Sequence, residues 1–195
     1  MTEALWYFAR GSGVVSLVLL TVVVALGVGT RSGRPAFGLP RFAVSLLHRN
    51  AALLAVLFLT GHVLSLLFDP YAQLRFFDLF VPFAGSYRPV WLGLGTLGLD
   101  LVLALVATSL LRHRIGVRAW RAVHWLAYLC WPVALTHGLG TGTDRGTWWL
   151  WTLSLGCAAV VAAAVVWRLS AGFTGFPQRV ERRVAPKLRQ MEEVR

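Results

Sequence analysis

The stretch His48–His62, "HRNAALLAVLFLTGH", decides how this chain is read. After Arg49 it carries no charge until it ends on a second imidazole, so it has the hydrophobicity of a membrane-spanning helix. Polar, ionisable groups are costly in lipid and mark function there. The rest of the sequence has the same character. Hydrophobic residues make up 57%, charged residues only 14%, and the mean hydropathy is +0.65. Such a surface is too apolar for water, and lipid is its natural solvent.

A net charge of +11 would suit nucleic acid, but the basic residues fall in short clusters between apolar runs. That is the arrangement of a membrane protein with cationic loops, and no nucleic-acid partner is expected. Cys130 and Cys157 lie in apolar runs, with no CxxC and no CxxCH. Any haem would therefore be held without thioether links.

Five runs are long enough to cross about 30 Å of hydrocarbon as helices. They are Ala4–Val28, Phe42–Phe68, Val90–Leu111, Val117–Leu139 and Thr147–Trp167. Spanning strands would alternate over about ten residues, which these do not. A cleaved signal peptide with Val14–Val28 as its core is the weaker reading of the first, because Glu3 and Arg10 make a poor basic leader.

The sequence thus predicts an all-α, polytopic bundle of five transmembrane helices. It divides at residue 170 into a membrane domain (1–170) and a basic cytoplasmic tail (171–195). Arg31, Arg34 and Arg41 load the first connection, and Arg112, Arg114, Arg118 and Arg121 the third. The second and fourth balance their charges, with Asp69 and Asp78 against Arg75 and Arg88, and Asp144 against Arg145. The positive-inside rule then places the N-terminus outside and the C-terminus in the cytoplasm, in a plasma membrane. The long second connection, "DPYAQLRFFDLFVPFAGSYRP", reads equally as an interfacial helix or a capping loop.

Four of the five histidines form a pattern; His113 sits in a basic loop and needs no special role. His48 and His62 lie on the second predicted helix, His124 and His137 on the fourth, which runs parallel to it. Counted from the nearest loop charges, His48 and His124 sit about 10 Å inside one face, and His62 and His137 about 10 Å inside the other. The result is two rungs about 20 Å apart. Zinc would want four ligands, and no thiolates or carboxylates stand at these depths. Haem iron needs only two axial ligands from protein. Two non-covalent b haems, one on His48 and His124 and one on His62 and His137, therefore account for the pattern better than interhelical hydrogen bonding does.

On an ideal helix, fourteen residues bring His62 within about 40° of His48's face, while thirteen leave His137 about 140° from that of His124. Pro132 lies between the second pair, and a proline kink there is expected to swing the imidazole round. Arg10, at the depth of the outer rung, is assigned to the outer haem's propionates in preference to snorkelling. Arg49, Arg118 and Arg121 are candidates at the inner rung. Gly61 and Gly138 flank the outer ligands and would admit a flat ring. Asp100, the one acid in mid-helix, is open between proton relay and ion pairing. "GLGTGTDRG" lacks the strand and the lysine of a phosphate loop.

With these residues in view, the chain up to about Trp167 resembles the ferric reductase-like transmembrane superfamily. That group includes NADPH oxidases, ferric reductases and the haem-binding membrane subunit of the periplasmic methionine-sulfoxide reductase system. The resemblance rests on the histidine spacings of fourteen and thirteen, on "RAWRAVHWLAYLCWPVALTHGLGTGTD" and on "PFAGSYRPVWLGLG". It implies that the thirteen-residue spacing is accommodated, and that electrons pass from cytoplasm to outside. Larger members carry fused flavin and nicotinamide domains; none is found here.

The expected function is therefore that of a membrane cytochrome, the electron-transfer subunit of an oxidoreductase system. A cytoplasmic flavoprotein or quinol would supply electrons, so any flavin or quinone comes from a partner. The acceptor would be an extracytoplasmic protein, a ferric chelate or oxygen, the last two making it a direct reductase. A non-redox scaffold or haem carrier is the alternative of another class.

Overall fold

The computed structural model describes residues 2–32, 38–69, 74–85, 88–141 and 144–170. The basic tail, 171–195, lies outside the described residues, as does the domain boundary drawn there. The described part is helical and contains no strand. Its helices are α1 (Thr2–Arg31), α2 (Arg41–Leu67), α3 (Pro89–Leu110), α4 (Arg112–Ile115), α5 (Val117–His124), α6 (Ala127–Thr141) and α7 (Trp148–Leu169).

Four of these, α1, α2, α3 and α7, are long and apolar enough to cross a membrane. Only 17 to 28% of each apolar window is buried, so most of their surface needs an apolar solvent. Large side chains such as Phe42, Leu53, Leu57 and Leu155 point outward accordingly. The chain is a multi-pass membrane protein.

The expected span Val117–Leu139 is not one helix. It is α5 and α6, of 8 and 15 residues, separated by a turn at Trp125 and Leu126. The ladder tightens there, with Tyr128 N–H bonding Trp125 O at 3.1 Å and Leu129 N–H bonding Leu126 O at 3.0 Å. Pro132 sits inside α6 without ending it. Having no N–H, it leaves the Tyr128 carbonyl without its usual partner and crowds it, so the distortion falls N-terminal to the proline. The expected irregularity exists, directly after His124 rather than at Pro132.

α1 packs along α2, and α3 along α6; α1 also touches α6 and α7. Lipid offers no hydrophobic drive between helices, so small residues and hydrogen bonds hold these contacts. On α1, buried Ser12, Ser16 and Thr21 bond back to the carbonyls of Phe8, Ser12 and Leu17 at 2.6 to 2.9 Å. Thr21 also accepts from the Trp131 indole N–H at 2.9 Å, tying α6 to α1. The Gly140 Cα lies against the ring of Trp91, leaving no room for a side chain. Leu101, Val102 and Cys130, with Val56 and Leu59 against them, form an apolar core between the depths of the two histidine rungs.

The second connection folds as a cap. Its described centre is one 3-10 turn, Phe76–Leu79, drawn onto α3 by Thr96 Oγ1 donating to Asp78 O at 2.8 Å. Gly116, at φ 81°, makes the sharp turn between α4 and α5, where a side chain would be strained.

Candidate cofactor site

Helix α2 carries His48 and His62 along α1 in one antiparallel register. His62 Nδ1 lies 2.7 Å from Ala9 O, and His48 Nδ1 lies 3.0 Å from Val23 O. His137, on α6, places Nδ1 2.8 Å from Trp91 O of α3. A carbonyl only accepts, so in each case Nδ1 carries the proton and Nε2 keeps its lone pair. Metal-ligating histidines are commonly fixed in this way.

A glycine lies beneath each of these rings, four residues after the accepting carbonyl. A Cβ on Gly13 would stand 3.0 Å from the His62 ring, one on Gly27 3.3 Å from His48, and one on Gly95 2.5 Å from His137. Sequence reasoning missed these three glycines. The signal was present in Gly13 and Gly27, which are spaced by fourteen like His48 and His62. Gly61 instead faces Phe8, and nothing lies within 4 Å of a Cβ on Gly138.

His62 and His137 meet across a cavity of about 730 Å³ that reaches from Arg10 and Asp144 to Val102 and Cys130. The His62 and His137 ring centres are 6.4 Å apart, with the planes at 80°. A metal held between two imidazoles by bonds of about 2 Å separates the ring centres by roughly 6 Å. No group of three or more His, Cys, Asp or Glu residues suited to a metal occurs among the described residues. The pair therefore fits a metal whose remaining ligands come from a macrocycle. The cavity volume, the fixed tautomers and the glycine floors all suit haem.

Arg10 lies at the mouth of this cavity, ion-paired with Asp144 and stacked 4.1 Å over the Trp6 ring. At the other end, His48 and His124 are within electrostatic reach of each other, and His124 is also within reach of Arg31. His124 stacks on Trp120 at 5.0 Å, but its buried Nδ1 has no hydrogen-bond partner among the described residues. Arg49, Arg118 and Arg121 are exposed. Arg121 belongs with Arg31 and Arg168 to a cationic group at this end. Asp100 is half-buried on α3.

Arg168 was indistinguishable in sequence from a topogenic tail charge, yet it braces the break after His124. It donates to the Tyr128 hydroxyl at 2.7 Å and lies 4.5 Å over the Trp125 ring. Arg168→Met should cost about 1 to 3 kcal/mol, the worth of a charged hydrogen bond with a cation–π contact. Thermal unfolding in detergent, followed by tryptophan fluorescence, would show it as a lowered midpoint.

The family model of the ferric reductase-like transmembrane component matches residues 12–135. The chain belongs to the ferric reductase-like transmembrane family. The match covers nearly two thirds of the sequence and includes His48, His62 and His124; His137 lies just beyond it. No curated protein and no solved structure matches the chain significantly. Ferric reductase-like domains generally bind haem, and membership points to electron transfer in the membrane.

Proposed function

We propose that this chain carries single electrons across the bilayer through two bis-histidine b haems, His48 with His124 inside and His62 with His137 outside. The observation that carries the reading is the outer pair: two imidazoles 6.4 Å apart across a haem-sized cavity, both with Nδ1 anchored to a backbone carbonyl. Bound haem supplies an iron couple that exchanges one electron without gaining or losing atoms.

The protein's own residues do the rest. The carbonyls of Ala9 and Trp91 hold Nδ1 and leave Nε2 free beside the cavity that both rings line, and the apolar core between the rungs keeps water out of the path. Arg10 at the outer mouth, and Arg31, Arg121 and Arg168 at the inner end, balance propionate charge. The positive-inside pattern supports an external N-terminus, with α5 and α6 together making a fifth, broken crossing. A cytoplasmic flavoprotein or quinol is the donor. The acceptor is an extracytoplasmic protein, or ferric chelate or oxygen; His62 and His137 would both hold the outer iron, so the acceptor would be reduced without binding to it.

The test is a reduced-minus-oxidised spectrum of the purified chain with a pyridine haemochrome count. Sharp b-type bands and close to two haems per chain are expected. Well-folded protein with no haem would overturn the reading.

A further inference from the structure

Three of the four histidines rest in the same cradle, a carbonyl at position n that accepts from Nδ1 and a glycine at n+4 beneath the ring. Ala9 and Gly13 serve His62, Val23 and Gly27 serve His48, and Trp91 and Gly95 serve His137. His124 should find its cradle on α3. The register that sets Trp91 against His137, Gly98 against Cys130 and Ser109 against Trp120 brings Ala104 opposite His124. Four residues after Ala104 stands Thr108, not glycine, and its Oγ1 donates to Ala104 O at 2.7 Å. A carbonyl oxygen has two lone pairs. In the other cradles one serves the helix and the other the imidazole; at Ala9 the Ser12 hydroxyl adds only a longer 3.1 Å contact, its main bond being to Phe8 O at 2.6 Å. Here the threonine hydroxyl makes its shortest bond to the carbonyl and takes the second lone pair. The buried Nδ1 of His124 is correspondingly without a partner among the described residues.

We propose that Thr108 is a positioning residue that sets the inner site apart. By occupying the Ala104 carbonyl it leaves His124 uncradled and makes the inner haem the readily released one. The inference rests on the two-haem reading above. Nδ1 anchors of this kind are worth about 10- to 100-fold in metal affinity, so the two sites should differ by that order.

Haem transfer from the full-length chain in detergent to excess apomyoglobin measures this. It would be run on His62→Ala, which keeps only the inner haem, and on His48→Ala, which keeps only the outer. The inner haem should leave at least about tenfold faster. Adding Thr108→Val to the His62→Ala chain removes the hydroxyl at nearly constant shape and should slow release about tenfold, whereas Thr108→Ser should leave it unchanged. Equal release from the two sites, or no response to Thr108→Val, overturns the proposal. Should the valine variant fail to fold, nitrogen spectra of ¹⁵N-histidine-labelled, haem-free wild type decide. With the signal of exposed His113 removed by His113→Gln, three imidazoles fixed as the Nδ1–H form with one mixed support it, and four alike refute it. A wild type that never binds haem would instead overturn the electron-transfer reading, and the nitrogen spectrum would still test the asymmetry.

Discussion

His62→Ala is expected to lower the haem content from about two to about one per chain and to abolish electron passage to the outer face. On the two-haem reading the imidazole would be one of the two protein ligands of the outer iron, and no group of three or more His, Cys, Asp or Glu residues that could hold a metal in its place occurs among the described residues. The fold should tolerate the loss. The Ala9 carbonyl that accepts from His62 remains inside a continuous helix, so it keeps its intrahelical bond and is not orphaned. The space vacated adjoins an existing cavity. The measurement is made in proteoliposomes, with a reductant sealed inside and ferricyanide outside. Wild type should reduce the external acceptor while His62→Ala should not, although the inner haem of the variant still becomes reduced. External reduction at the wild-type rate would mean that the path does not run through the His62–His137 pair.

The approach of His62 to His137 was legible in the sequence because depth in a membrane can be counted from the flanking charges. Their orientation was not. Thirteen residues leave His124 and His137 on different faces of an ideal helix, so some distortion had to lie between them, and Pro132 was the visible cause. Where a helix yields near a proline depends on which carbonyls find other partners. Here the turn falls at Trp125 and Leu126, braced by Arg168 from α7. For the same reason one predicted span is two short helices. Gly61 and Gly138 were chosen as neighbours in sequence, but the floor beneath a side chain comes from the helix packed against it. For His62 that floor is Gly13 on α1, and for His137 it is Gly95 on α3. Helix pairing therefore decides which glycines matter, and only the shared spacing of fourteen on α1 and α2 foreshadowed it. Arg10 lines the same cavity as His62 and His137, but its ion pair with Asp144 depends on a loop approach that spacing does not reveal.

Gly95→Ala should empty the outer site while leaving α3 intact, a separation that tests whether the cradle positions the ligand. The new Cβ would stand 2.5 Å from Cε1 and 2.8 Å from Nδ1 of His137. Native Cβ atoms do not approach that closely, so the ring must move. Its Nδ1–H is bonded to Trp91 O, one turn earlier on the same helix, so it cannot retreat without weakening that bond and turning Nε2 from the cavity. Local overpacking costs about 1 to 3 kcal/mol. Alanine in place of glycine returns about 1 kcal/mol of helix propensity, so the chain should still fold. Outer-haem affinity should fall by about 10- to 100-fold, as when other outer-shell supports of a metal ligand are lost. The same substitution at Gly27 meets His48 at 3.3 Å, a contact relieved by a shift of a few tenths of an ångström, and Gly13 lies between the two at 3.0 Å. Haem loss should therefore follow the order Gly95, Gly13, Gly27, as read by haemochrome titration of the three variants at equal folding yield. Equal retention in all three would show that the glycines serve helix packing alone. The imidazoles would then owe their aim to the backbone carbonyls without the floor beneath them.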